Sequence, residues 1–311
     1  MSRCPEDITE QFIKDCATLT SPTLALKYGK AQSTVREWRL DLYRRGLLLW
    51  WPGIRVHTDE LDIGSYVELE GDAMVVSDLE VPHHDAELLG YLVSVAMKFG
   101  IKKLVIAGDF LALDSESTWP EEEGEERKTL ADDKWSGEDV VVSLFQWFDY
   151  IVILKGNHEQ RGTRNRVLGF MQDVQRQWGQ HGDLEVSMYK WCVVISAGNR
   201  YRVEHFGNYS KVPGSVARER AEIENCHVLG GHTHHHSRSF TRDGRHQAVD
   251  LGHATREATR YYKTVNGTTR HPKWVSGFWM IRNGCLYPFP KKFTDWDFWL
   301  KEIALRKGAE T

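Results

Sequence analysis

The chain has 311 residues, 41% hydrophobic and 27% charged, with a formal net charge of −4 at pH 7. That length allows one large domain plus a small one, and the balance excludes both a disordered chain and a surface that is basic throughout. No apolar run is long enough to span a membrane, the first residues lack the apolar core of a secretion signal, and the five cysteines form no C-x-x-C pair. A cytoplasmic protein is therefore expected, with no membrane partner and no disulfide framework.

Residues 1–52 read as a separate helical module. Ile8, Phe12, Ile13, Cys16 and Leu19 keep helical spacing. Ser21-Pro22 opens a second short helix that stops near Tyr28-Gly29, and Gln32-Ser33 can cap a third over residues 34–44. A short helix, a glycine turn and a helix carrying Arg36, Trp38 and Arg39 resemble a helix-turn-helix, whose second helix enters the DNA major groove. The first 55 residues hold nine Lys/Arg against six Asp/Glu, so DNA is a candidate partner and Arg36 and Arg39 are the candidate contacts. The competing reading is a three-helix appendage or a protein-contact module. Residues 53–72 are mixed and acidic and read as a linker.

The main domain is expected over residues 73–290, followed by a polar, helical tail at 291–311. A strand over 73–77 leads to Asp78-Leu-Glu80, an amphipathic helix comes next over 86–99, and a strand over 103–107 ends at Gly108-Asp109. This is a βαβ unit with a parallel sheet. Residues 119–133 read as an acidic surface excursion, with a helix from about 137 to 147. A third strand, 151–155, ends at Gly156-Asn-His-Glu159, and residues 164–178 are helical by period. Residues 184–197 and 201–205 alternate like antiparallel strands. A helix at 215–225 and a strand at 226–229 precede Gly230-Gly-His-Thr-His234. Two hairpins complete the domain, with turns at Asp243-Gly244 and Asn283-Gly284.

In an open α/β sheet, ligand groups collect just past the carboxyl ends of the strands. Five strand ends can therefore bring Asp78, Asp109, Asn157, His205, His232 and His234 to one place. Carboxylate, amide and imidazole together suit two divalent cations of the Mn²⁺, Fe or Zn²⁺ kind. His227, His235, His236, His246, His253 and His271 are read as ordinary core or surface residues. Asp114 is read as supporting or capping rather than ligating.

Taken together, Asp78-x-Glu80, Gly108-Asp109, Gly156-Asn-His-Glu159, His205 before Gly207, and Gly231-His-Thr-His234 resemble the five ordered signatures of the calcineurin-like metallophosphoesterases. The run Asp250-Leu-Gly252, Trp274 and Gly277-Phe278 is similar to bacteriophage and prophage members of that family. The resemblance implies a four-layer α/β sandwich, two mixed sheets flanked by helices, and a dinuclear-metal-dependent phosphoester hydrolase. It implies Asp109 as the ligand shared by both cations, Asp78 and His234 on the first, and Asn157, His205 and His232 on the second. It implies His158 as the group that steadies the phosphate and protonates the leaving oxygen, and a metal-bound water or hydroxide as nucleophile. Where the family has Asp-x-His, this chain has Glu80; as a ligand, its charge favours Mn²⁺ or Mg²⁺. The Asp-Arg-Gly of the protein phosphatases is replaced by Phe110-Leu-Ala-Leu-Asp114. Arg161 could hold a phosphate oxygen, and His84 is expected on a loop beside the substrate. A phosphodiester of nucleic acid or a nucleotide is the favoured substrate. A phosphomonoesterase or protein phosphatase, or a DNA-binding protein with a degenerate domain, are the alternatives. The oligomeric state is left open.

Overall fold

Three short apolar runs, each buried on both faces, form the middle of one sheet. In the computed structural model, which describes residues 5, 8–16, 21–44, 66–116, 129–161, 167–256 and 273–299, they are β2 (Ala73–Val76), β3 (Lys103–Ile106) and β4 (Tyr150–Leu154). They lie side by side and parallel. Successive strand residues face opposite ways, so Met74, Leu104 and Ile151 join one apolar cluster and Val75, Val105 and Val152 join another. Runs of this kind need cover on both sides. The outer cover is α4 (Ala86–Phe99), α5 (Leu130–Phe145) and α7 (Val167–Trp178). The inner cover is the second sheet.

The chain divides into two compact units, Met1–Asp62 and Ile63–Thr311. In the second unit the first sheet has the order β12-β11-β2-β3-β4-β5, with β5 (Asp183–Ser187), β11 (Gly277–Arg282) and β12 (Cys285–Pro290) added to the three parallel strands. The second sheet has the order β1-β6-β7-β8-β10-β9. Its strands are β1 (Glu68–Glu70), β6 (Trp191–Ser196), β7 (Asn199–His205), β8 (His227–Gly231), β9 (His236–Phe240) and β10 (Gln247–Leu251). Val194, Val203, Leu229 and Val249 of this sheet meet Val75, Val105, Val152 and Trp279 of the other. Each fully buried side chain of this size contributes about 1.5–3 kcal/mol relative to an exposed one. On the far face, α8 (Ser215–Glu224) covers Phe206, Val228 and Ala248. The result is the expected four-layer sandwich of two mixed sheets flanked by helices.

Several expected boundaries move. Residues 68–70, read as linker, form β1, which pairs in parallel with β6 and sinks Leu69 into the inter-sheet core. The fold also runs past residue 290, because Trp296 stacks on Tyr91 at 4.1 Å and packs with Phe278 and Phe289. α5 starts seven residues before the expected 137, inside the acidic stretch. Thr129 and Asp132 cap it reciprocally, the side chain of each accepting the other's backbone N–H. The alternating run at 184–197 is two strands in different sheets. A turn at 188–190, where the Tyr189 N–H donates to Ser187 Oγ, carries the chain from one sheet to the other. Residues 117–128, 162–166 and 300–311 lie outside the described residues. No helix among the described residues is long and apolar enough to cross a membrane.

The first unit holds α1 (Thr9–Cys16), α2 (Ser21–Lys27) and α3 (Gln32–Arg44) around Phe12, Cys16, Leu24, Val35, Trp38 and Leu42. Gly29, at φ +57°, makes the turn between α2 and α3. Arg39 is not a surface DNA contact, as its position on the third helix suggested. It is fully buried, and its guanidinium donates to Cys16 Sγ at 3.3 Å and to the Cys16 carbonyl at 3.2 Å. The charge ties α3 to α1, and a buried guanidinium so held is unavailable to phosphate. Arg36 lies on α3, and its side chain lies outside the described residues.

Candidate metal centre

Parallel order delivers the first three positions. β2, β3 and β4 end at the same edge, so Asp78, Asp109 and Asn157 come within three residues of it. The β2–β3 ladder continues into these loops: the Asp78, Glu80 and Val81 N–H groups donate to the carbonyls of Gly108, Asp109 and Phe110. In the facing sheet β7 and β8 are parallel neighbours with His205 opposite Gly231, so His205 and His232 emerge together.

The backbone at these positions is unusual. Asp78, Glu80, Asp109, His232 and His234 all have positive φ, between +48° and +83°. Side-chain-bearing residues there cost on the order of 1–3 kcal/mol each, and such strain gathers at functional sites. Five in one cluster must be held by the surroundings, and the hydrogen bonds show how.

Two groups of donors result. Ligand atoms of Asp78, Glu80 and His234 lie within 4.8 Å of one another, as do those of Asp109, His205 and His232. In the first, His234 Nε2 is 2.9 Å from Asp78 Oδ1 and 3.5 Å from Glu80 Oε1. In the second, His205 Nε2 is 2.9 Å from Asn157 Oδ1 and 3.4 Å from Asp109 Oδ2. The groups are joined, since the His232 N–H donates to Asp78 Oδ2 at 2.9 Å.

The tautomer at His205 decides what this cluster can hold. Its Nδ1 lies 2.9 Å from the Ala107 carbonyl, which can only accept, so Nδ1 carries a proton. In the neutral ring Nε2 is then a lone pair facing two oxygens that are also acceptors. Three acceptors converge, an arrangement that a positive charge satisfies. A proton can serve: burial opposes the charged ring, Asp109 and then Asp78 favour it more strongly, and the His205 pKa stands at about 9. Burial likewise works to raise the Asp109 pKa, but His205 and His158 outweigh it and hold the carboxyl well below the usual range. A divalent cation fits the same donors, which are hard and borderline oxygens and nitrogens without thiolate.

His158 is oriented in the same way. Its Nδ1 donates to the Ala112 carbonyl at 3.0 Å, and its backbone N–H donates to Asp109 Oδ1 at 2.8 Å. Nε2 is left 3.7 Å from Asp109 Oδ2.

Glu159, quoted in its motif but given no role by sequence, is the main support. It is buried, and its carboxylate accepts the N–H groups of Asp109 at 3.1 Å, Leu111 at 3.1 Å and Gly156 at 2.8 Å. The available signal lay in Gly156-Asn-His-Glu159, where a carboxylate stands three residues after an N–H that it can accept. Gly156 is needed for closeness: a Cβ there would lie 2.1 Å from Asp109 Oδ1 and 2.2 Å from its N. Gly156→Ala is therefore expected to push Asp109 aside and weaken the binding of a divalent cation by about 10–100-fold, as disturbed ligand supports do. Isothermal titration checks this, and unchanged affinity would remove Asp109 from the site.

His84 makes a β-bridge with Thr255, and its Nδ1 is buried without a hydrogen bond. No hydrogen bond joins it to a candidate ligand among the described residues. His83 instead pairs with Asp114 at 2.6 Å. Arg161 closes the short helix α6 (His158–Arg161), and its side chain lies outside the described residues. His253, read as an ordinary core or surface residue, and Trp274, quoted in the sequence without a role at the site, flank His234 with ring centroids at 5.4 and 5.0 Å.

No protein-family model matches the chain, and no curated protein matches it. Solved structures do. A Thermotoga maritima protein determined by NMR is 13% identical, covers 71% of this chain and 98% of its own, and has a TM-score of 0.34. Vps29 from Entamoeba histolytica, crystallised with Zn²⁺, is 12% identical over 70% of this chain and 97% of its own, with a TM-score of 0.33. A Streptococcus pneumoniae protein described as a predicted phosphoesterase is 14% identical over 71% and 98%, with a TM-score of 0.28.

Proposed function

We propose that the second unit is a metal-dependent phosphoester hydrolase of the calcineurin-like kind, acting on a phosphodiester of nucleic acid or a nucleotide. The observation that carries this reading is the convergence of acceptor atoms around His205 Nε2, beside the second carboxylate group at His234. Asp78, Glu80 and His234 would hold one cation, Asn157, His205 and His232 the other, with Asp109 between them. Bound divalent cations would supply Lewis acidity and charge neutralisation for a phosphoryl group. Glu80 adds a hard oxygen donor, which favours Mn²⁺ or Mg²⁺ over Zn²⁺ or Fe.

The chain's own part is positioning and proton handling. His158 Nδ1 is fixed as a donor to Ala112, so Nε2 is the atom that takes up or releases a proton. A protonated Nε2 can donate to a phosphoryl oxygen and then to the departing alkoxide. Asp109 Oδ2 lies 3.7 Å from that nitrogen. Burial of Asp78 and Asp109, both at most 2% exposed, keeps bulk water from competing for their oxygens.

The four residues after Asp109 favour a diester over a monoester. Phe110, Leu111, Ala112 and Leu113 are apolar and buried, with no arginine to clamp the doubly charged phosphate of a monoester. Bis-p-nitrophenyl phosphate is expected to be hydrolysed with Mn²⁺ and p-nitrophenyl phosphate much more slowly. Activity should vanish with EDTA and return on adding metal back. Inertness toward both esters with every divalent cation would end the hydrolase reading, and faster monoester turnover would reverse the preference.

A further inference from the structure

β4 and its parallel neighbour β5 leave the first sheet at the edge that carries Asn157. The turn at 188–190 then crosses to β6, beside β7, whose last residue is His205. Two backbone bonds pin this crossing: the Lys155 N–H donates to the Tyr189 carbonyl at 3.3 Å, and the His205 N–H to the Lys190 carbonyl at 2.7 Å. Two lysines thus stand at one junction. Lys155 is two residues before Asn157, and Lys190 is bonded through its carbonyl to the His205 backbone.

Both lysines are half-buried, and neither is paired with a carboxylate among the described residues. Two cationic side chains carried by one junction, neither met by a carboxylate among the described residues, suit an anion. Aromatic rings stand at the same junction, on and beside Tyr189 and Trp191. Tyr66, 37% exposed, stacks on Trp191 at 4.4 Å, Tyr189 meets the edge of Trp191 at 6.0 Å, and the Arg202 guanidinium lies over Trp191 at 4.1 Å. Cations that track a backbone, interleaved with rings that can stack bases, are what single-stranded nucleic acid needs from a protein.

We propose that Lys155 and Lys190 form a subsite for a flanking phosphate of a single-stranded polynucleotide, with Tyr66 and Tyr189, both packed against Trp191, as the platform for its bases. This rests on the hydrolase reading above, and it makes the substrate a polymer rather than a free nucleotide. The strand would run from the candidate cations at Asn157 and His205 across the junction toward Tyr66.

The test is fluorescence anisotropy with fluorescein-labelled oligothymidylate and the full-length protein. The Lys155→Ala/Lys190→Ala double variant is expected to lose about tenfold in affinity, and its salt slope should fall by about 0.7 for each lysine. Lys155→Gln/Lys190→Gln keeps the aliphatic stems and should lose the same, which separates charge from folding. Lys102→Ala, at the opposite end of β3, should change nothing. Wild-type protein that fails to bind the oligonucleotide, or a double variant that binds it as tightly with the same salt slope, overturns the proposal. If binding is lost as expected while wild type hydrolyses no ester, the subsite stands and the hydrolase reading falls.

Discussion

Asp109→Asn is expected to abolish metal-dependent hydrolysis, with a loss of at least about a hundredfold. Altering mere supports of metal ligands costs about 10–100-fold, and this change removes the charge itself. The substitution keeps an oxygen to accept the His158 N–H, now 2.8 Å from Oδ1, so the loop should hold its course. What disappears is the negative charge facing His205 and His158. A second readout is the pH dependence of stability in EDTA-treated protein. The folded His205 pKa of about 9 is raised above the ordinary 6.5. Its contribution is fully present below pH 6.5 and is lost as pH rises through 9. Asp109→Asn removes the leading cause of that rise, so the decline should flatten. Wild-type rates in the variant would show that Asp109 is not in the reacting centre.

Glu159→Ala is expected to be the most destabilising single change in the second unit. It leaves three buried N–H groups, those of Asp109, Leu111 and Gly156, without an acceptor. Each unsatisfied buried donor costs about 1–3 kcal/mol, so the total is at least about 3 kcal/mol. Thermal unfolding should move down by about 6–12 °C in a unit of this size. Glu159→Gln should do less harm, since one amide oxygen can still accept. Burial, then the Asp109 charge, already raise the Glu159 pKa, so the neutral side chain suits its surroundings. A melting temperature within a degree or so of wild type for the alanine variant would refute this account.

How much of this was legible in the sequence differs from residue to residue. The apolar runs before Asp78, Asp109 and Asn157 could be read because each strand is buried on both faces and ends at a polar residue or glycine. Their convergence comes from parallel order, which the intervening helices require. The split of 184–197 into β5 and β6 could not be read by alternation alone, because both halves alternate and the crossing needs only three residues. The start of α5 was written in Thr129 and Asp132, but the acidic composition around them resembles a solvated loop. Arg39 misled because a helix position predicts a face and not its neighbour; only the packing of α1 against α3 shows Cys16 beneath the guanidinium. Glu159 was invisible as a support because its three partners are backbone N–H groups, two of them some fifty residues away in the chain.

The donors are drawn from both halves of the sandwich: Asp78, Glu80, Asp109 and Asn157 come after strands of one sheet, while His205 ends a strand of the other and His232 and His234 follow one. Ions seated among them would act as rivets across a seam that is otherwise closed by greasy side chains. Separation of the halves and escape of the ions then become a single event, so the grip on metal and the resistance to heat should rise and fall together.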